Sequence, residues 1–549
     1  MTLATSPLSS PSPIVPSSLV AGALTLPVLL PIIAIVVLAS QTGFAEWPDL
    51  FRNVLPSLAI TTFLLCASCA VLTLCIGATM AWLATMYNFP GRAFLKWGAL
   101  LPLAMPGYIV SFTYVDFLTF SGPLQSWLRG TFGITSHLPD IRSLPGAILV
   151  LSFVLYPYVY LTARAAFLKQ PATQLHVART LGRSPVRAFL DVTLPQARPA
   201  LFIGIVLVVM ECLNDVGAAA FFGIRTITYA IYSIWLDQGN LYQAAQVASL
   251  LLLFLALLLA LEYSARVRDG LSRDSSRASA IARERLVGWR GWLAATIMAI
   301  PIFLGFALPA FLLAQHALRR AGDWLSPALA AATWHSLLLA ALTCAGTLII
   351  ALIIGHATRQ SSSPTLKAIT RLASFGYALP GTVLGIGVLV SLGLLDRTLN
   401  GWSLSLFGWQ PGLIFSGSIL TLVFAYVARF LIIASGQVDA GFGKIPFNLD
   451  HVARTLGRGP MTVLKDVHIP LLRPAILSAA LLVFVDSMKE LPATLILRPF
   501  DFDTLATHVF TLASLGQLED SAVPALAIVA TGLLPVFILA QAMRDSAKR

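Results

Sequence analysis

Charge is the scarcest property of this 549-residue chain: Asp, Glu, Lys and Arg make up 11% of it, against 57% hydrophobic residues and a mean hydropathy of +0.83. A soluble domain of this length needs far more polar surface, so most of the chain is expected in lipid. Cysteine is also rare, with Cys66, Cys69, Cys75, Cys212 and Cys344 all falling in apolar stretches. Cys66-Ala-Ser-Cys69 has the spacing of a redox or metal motif, but no second pair or histidine cluster accompanies it, so small-residue helix packing is the reading. The eight histidines are scattered, and His335 and His356 read as packing or interfacial residues. No G-x-x-x-x-G-K-[ST] occurs: Gly443-Lys444 is followed by Ile445 and position 438 is Val438, so the chain cannot cradle nucleotide phosphates. Neither a nucleophile–base pair nor a metal triad is present, which disfavours a membrane-embedded enzyme. No cationic stretch precedes the first apolar run, so that run is expected to be a retained helix rather than a cleaved signal peptide.

What the chain does have is apolar runs long enough to cross a bilayer. A spanning helix needs roughly 20 apolar residues, and such windows recur at 19–40, 54–81, 94–119, 146–168, 198–216 and 243–264, then at 291–314, 330–356, 368–395, 411–435, 473–491 and 522–542. The expected fold is all-α, a polytopic membrane protein of twelve helices in two halves. Arg266, Arg268, Arg273, Arg277, Arg283, Arg285 and Arg290 crowd one connector, and Arg544, Lys548 and Arg549 end the chain. Short cytoplasmic loops retain positive charge, so both segments, and with them the N-terminus, are expected on the cytoplasmic side of the cytoplasmic membrane. The net charge of +12 then reflects this bias and attraction to anionic lipid headgroups, with no nucleic-acid partner implied.

An internal repeat sets the organisation. Residues 176–200 read HVARTLGRSPVRAFLDVTLPQARPA and residues 451–475 read HVARTLGRGPMTVLKDVHIPLLRPA, identical at 15 of 25 positions with an offset of 275. Ala104-Met105-Pro106-Gly107 and Ala378-Leu379-Pro380-Gly381 repeat in nearly the same register, so the duplication covers a whole half. The expected units are a first half at 1–264, a basic cytoplasmic linker at 265–290 and a second half at 291–549, with the repeated loops at 171–198 and 446–473.

Ala178, Arg179, Leu181-Gly182 and Pro195 in one loop, with Ala453, Arg454, Leu456-Gly457 and Pro470 in the other, resemble the EAA loop of ABC importer permeases. That resemblance implies a type I permease fold in which each loop forms a short coupling helix, a glycine bend and a second helix docked on an ATPase subunit. It further implies two ATPase copies, which hold the ATP and Mg while this chain binds no cofactor, and a separate substrate-binding protein on the outer face. The departure is His176 and His451 where the motif usually has Glu. Met488–Phe510 (MKELPATLILRPFDFDTLATHVF), Glu211 to Gly217 and Phe221-Phe222-Gly223 are similar to segments of the ferric-iron permeases, while permeases for thiamine, phosphonates, polyamines and sulfate share the architecture. A twelve-helix secondary transporter is the rival reading, disfavoured by the paired loops.

Four acids stand out from the residues themselves. Glu211 and Asp215 are i, i+4 and expected on one helix face, and Asp486 and Glu490 sit 275 residues later at equivalent places. Counted at about 1.5 Å per residue from Arg198 or Arg473, they lie roughly 20 and 26 Å along a helix crossing a ~30 Å core. Ionisable groups at such depth are costly and usually face a polar cavity, which makes them candidates for a substrate path. Gly217 and Pro492 follow as expected helix breakers. The alternative is structural, with Lys489 pairing Asp486 at i+3. Carboxylates suit a hard cation, and weak guidance rather than a permanent metal site is expected, since a tight site would obstruct transport.

Overall fold

The computed structural model describes residues 17–41, 47–133, 139–170, 177–178, 180–271, 283–320, 326–360 and 379–545, with Gly322, Trp324 and Gly376 between them. These residues include nine helices long and apolar enough to cross a membrane, or up to twelve if each of three sharply bent helix pairs is one span. Regular strand is confined, among them, to a parallel pairing of Tyr87–Asn88 with Glu284–Arg285, which ties the end of the basic connector to the first half.

In the first half the helices used below are α1 (Ser17–Gln41), α2 (Leu55–Met86), α3 (Gly107–Leu118), α4 (Leu144–Lys169), α5 (Arg198–Asn214), α6 (Val216–Phe222), α7 (Ile227–Leu236) and α8 (Leu241–Leu271). The second half continues with α9 (Trp289–Arg319), α10 (Pro327–Gln360), α11 (Gly381–Phe407), α12 (Ile419–Phe442), α13 (Asn448–Thr455), α14 (Ile469–Met488), α15 (Pro492–Leu497), α16 (Leu505–Ser514) and α17 (Leu518–Asp545).

Each half has the same three-helix core. In the first, α2, α4 and α5 pack mutually; in the second, α10, α12 and α14 do. Apolar surface gives little drive between helices in lipid, so close backbone approach must supply the contact. Glycine permits it: a Cβ on Gly77 of α2 would stand 2.9 Å from the Tyr156 carbonyl oxygen of α4, and one on Gly355 of α10 would stand 2.8 Å from the Phe442 ring of α12.

The halves also exchange their first helices. The α1 helix packs against α11 of the second half, while α9 packs against α3 and α4 of the first. Gly387 of α11 lies on the Pro31 backbone of α1, and Gly305 of α9 lies on the Phe153 backbone of α4. Across this second contact Tyr114 Oη donates to the Leu304 carbonyl at 2.6 Å.

Several expected spans begin elsewhere, and proline is the usual reason. The run at 94–119 is broken, with a 92° bend between Arg92–Ala104 and Gly107–Phe132 where Pro106 caps α3. The span expected at 368–395 runs instead as Gly381–Phe407 behind Pro380, and 361–375 and 377–378 lie outside the described residues. The span expected at 411–435 becomes Ile419–Phe442, because Gly412 and Gly417 hold positive φ in the turn before it. Between the fifth and sixth spans each half also inserts two short helices, α6 and α7, bent by 87°, and α15 and α16, that hydropathy windows did not separate.

Candidate functional site

The acids sit where these helices break. The α5 helix ends at Asn214, and Asp215, with φ −84° and ψ 79°, is already outside it. Its Oδ1 accepts from Ala218 N at 2.8 Å, satisfying an orphan donor at the start of α6. Glu490 does the same for α15, its Oε1 accepting from Ala493 N at 3.2 Å while Pro492 occupies the first turn. The expected shared helix face for Glu211 and Asp215 is therefore corrected: the second acid of each half caps the next helix, and the break falls at the acid rather than at Gly217. Gly217 lies inside α6, where a Cβ would stand 2.6 Å from Tyr108 Cβ.

Facing these caps are the Pro-Gly pairs that open α3 and α11. A Cβ on Gly107 would collide with Asp215 Oδ2, and one on Gly381 would stand 2.6 Å from Glu490 Oε1. Glycine at both places is thus required by the close approach of a carboxylate. Asn214 Oδ1 accepts from Gly381 N at 2.9 Å, joining the halves.

All four acids line one cavity of about 90 Å³, together with Asn214, Lys489, Arg429, Tyr108 and Tyr158. Its two cations are held differently. Arg429 Nε stands 3.2 Å from Glu490 Oε2, with the two side chains 6% and 5% exposed, and Arg429 Nη1 donates to the Leu379 carbonyl at 3.1 Å. Lys489 Nζ stands 2.8 Å from Asp486 Oδ1, with these side chains 31% and 21% exposed. Glu211 and Glu490 also lie close enough to act electrostatically on the Lys489 ammonium. Among the described residues no three His, Cys, Asp or Glu are placed to hold a metal ion. Sequence reasoning missed Arg429, Asn214 and Tyr108, although an arginine alone in the apolar run Ala425-Tyr426-Val427-Ala428-Arg429-Phe430 carried a signal.

The repeated loops lie away from the cavity, at the other ends of α5 and α14. Gly182 and Gly457 have φ of 79° and 75°, a left-handed conformation that favours glycine. Matching closures flank them: Arg183 N donates to the Ala178 carbonyl at 3.1 Å, and Arg458 N to the Ala453 carbonyl at 3.0 Å. Ala178 and Ala453 are buried, whereas Leu181 and Leu456 are 78% and 73% exposed beside exposed Val177 and Val452. Pro195 and Pro470 stand in the first turns of the helical segments that lead into the following spans. Arg179 and His176 lie outside the described residues, as does the side chain of Arg454.

The second loop carries an anchor whose charged residues the first lacks at the equivalent positions. Arg359 at the end of α10 donates through Nε to Asp450 Oδ2 at 2.7 Å and through its other nitrogens to the Phe442, Ile445 and Pro446 carbonyls. His468 Nε2 meets Asp450 Oδ1 at 2.5 Å, and His468 Nδ1 stands 3.2 Å from His356 Nδ1. Burial pushes the Asp450 carboxyl up, but the hydrogen bonds from His468 and Arg359 outweigh it and hold the group below the ordinary carboxylate range. The positions 275 residues earlier are Leu175 and Thr193.

Residues 73–269 match the family model described as the binding-protein-dependent transport system inner membrane component. The chain is 26% identical over 528 residues to an Fe(3+)-transport system permease protein of Haemophilus influenzae, covering 94% of this chain and 96% of that one. It is 29% identical over 266 residues to a putative 2-aminoethylphosphonate transport system permease protein of Salmonella typhimurium, covering 45% of this chain and 92% of the relative. A sulfate transport system permease protein of Escherichia coli is 34% identical over 147 residues, 27% of this chain and 49% of the relative.

Proposed function

This chain is a permease of the binding-protein-dependent ABC importer family, a multi-pass protein of the inner membrane, and on that premise we propose that it carries ferric iron inward through the acidic cavity. The observation that carries the reading is the cavity lining, in which four carboxylates, two from each half, and two phenols of the first half offer hard oxygen donors. The similarity to a ferric-iron permease over nearly the whole of both chains supports the same cargo.

The two halves, 1–264 and 291–549, joined by the basic linker at 265–290, act as a fused pair around this cavity. Their repeated loops dock one ATPase copy each: Val177 and Leu181, or Val452 and Leu456, offer an exposed apolar knob behind each left-handed glycine. Arg183–Asp191 at 3.3 Å and Arg458–Asp466 at 3.8 Å brace the two loops in parallel, and being exposed they add little stability of their own. ATP and Mg are held by that partner, and this chain binds no cofactor. The arginine distribution supports a cytoplasmic side for the loops and both termini, with the other face left to a substrate-binding protein. Hydrolysis pulls on α5 and α14 through the loops, and both helices end at the acids of the cavity.

Deleting the permease tests the cargo. High-affinity ferric uptake should be lost while thiamine, sulfate and polyamine uptake are spared; a growth defect rescued by thiamine but not by iron would overturn it.

A further inference from the structure

We propose that Lys489 is a tethered stand-in for the transported cation, a specificity-determining residue whose ammonium holds the acidic cavity between turnovers and is displaced from Asp486 by the incoming hard cation. The inference rests on the cation reading above and concerns how the same cavity selects its cargo.

Of the two cations in the cavity, Lys489 is the more exposed and the less constrained. Arg429 is locked by Glu490 and the Leu379 carbonyl, and Glu490 is itself committed to Ala493 N and pressed against Gly381. Lys489 hangs on a flexible four-carbon stem and pairs with Asp486, its short ion-pair contact among the described residues, with 31% of its side chain exposed. The ammonium also feels Glu211 from the other half. Asp215 and Glu490 accept from the first turns of α6 and α15, whereas Asp486, the partner of Lys489, caps no helix break.

Tyr108 gives the second pointer. It is 4% exposed and lines the cavity, yet among the described residues its Oη has no hydrogen-bond partner. A buried hydroxyl left unpaired is costly, and a hard cation beside it would supply the missing interaction. The pseudo-symmetry is also broken here and nowhere among the four acids: position 214, the mate of 489, is asparagine. One half therefore supplies a cation and the other leaves Glu211 without a lysine three residues on. A lysine that mimics the cargo keeps four carboxylates compatible at membrane depth when nothing is bound, and lets only a cation strong enough to compete for Asp486 proceed.

The test uses the full permease co-purified with its ATPase in zwitterionic lipid nanodiscs, with Tb³⁺ as a hard trivalent probe read by luminescence sensitised through nearby tyrosine. Lys489→Met should bind Tb³⁺ about tenfold or more tightly than wild type, because a unit positive charge a few ångströms from the site is removed. The triple variant Lys489→Met, Asp486→Asn, Glu211→Gln should lose that gain. Equal affinities of wild type and Lys489→Met, or a gain that survives in the triple variant, would overturn the proposal. If Lys489→Met fails to assemble, La³⁺ added at solubilisation should restore assembly, and failure of that rescue overturns it equally. Wild-type proteoliposomes that accumulate no ferric iron would sink the cargo assignment alone, since Tb³⁺ reports on the lysine and its acids whatever is carried.

Discussion

Replacing Glu490 by glutamine should cost stability, whereas replacing Asp486 by asparagine should cost transport. Both carboxylates line the same cavity but stand in different environments. Glu490 and Arg429 are 5% and 6% exposed, and the acid also caps α15. Removing one member of a buried pair strands the other, which costs about 3–5 kcal/mol. Asp486 and Lys489 are 21% and 31% exposed to the cavity, so loss of that pair should cost at most about 1 kcal/mol. Thermal aggregation of the detergent-solubilised protein, followed by size exclusion, separates the two. Glu490→Gln and Arg429→Met should each aggregate well below wild type, Asp486→Asn close to it, and the double variant Arg429→Met, Glu490→Gln should recover most of the loss because no charge is left unpaired. Glu490→Gln as heat-resistant as wild type, or Asp486→Asn as the more damaging change, would refute the division of labour.

Valine at both Gly182 and Gly457 forces a β-branched residue into positive φ, about 1–2 kcal/mol of strain or more per site; co-purification of the ATPase should be lost while membrane insertion is unchanged. Asp450→Asn should destabilise the second loop by on the order of 3 kcal/mol at neutral pH, read as faster proteolysis near residue 450. Because the Asp450 carboxyl is depressed in the folded state, its contribution is present above the ordinary carboxylate pKa of about 3.9 and is lost as pH falls through the lower folded value, so the variant and wild type should converge in acid. Gly387→Val, at the contact where α1 crosses to α11 and a Cβ would stand 2.7 Å from Pro31 Cβ, should lower the yield of monodisperse protein.

Much of this was legible in the sequence because lipid restricts the choices. Apolar runs of about 20 residues must be helical there, and a helix covers part of each expected window. The two glycine bends were legible because an identical Leu-Gly-Arg recurs in both loops, and the left-handed φ follows from it. The convergence of the four acids followed from the 275-residue offset, since a repeat places equivalent residues about one axis. Their geometry did not follow. A 3.6-residue period puts Glu211 and Asp215 on one face only if the helix continues, and whether Asp215 continues a helix or caps the next is decided by Ala218 N and the nearby Gly107, neither of which hydropathy can see. Arg429 escaped notice because its partner is 61 residues away, and the helix exchange because no local pattern tells α1 which half it will pack against.

The most direct measurement is accumulation of radiolabelled ferric iron in proteoliposomes containing the permease, its ATPase and its binding protein. The account predicts uptake that requires ATP, persists when the proton gradient is collapsed, and falls sharply in the Glu211→Gln, Asp486→Asn variant while that variant still assembles with the ATPase. Full uptake by the neutralised variant would contradict the acidic route, and uptake driven by the proton gradient without ATP would contradict the importer mechanism itself.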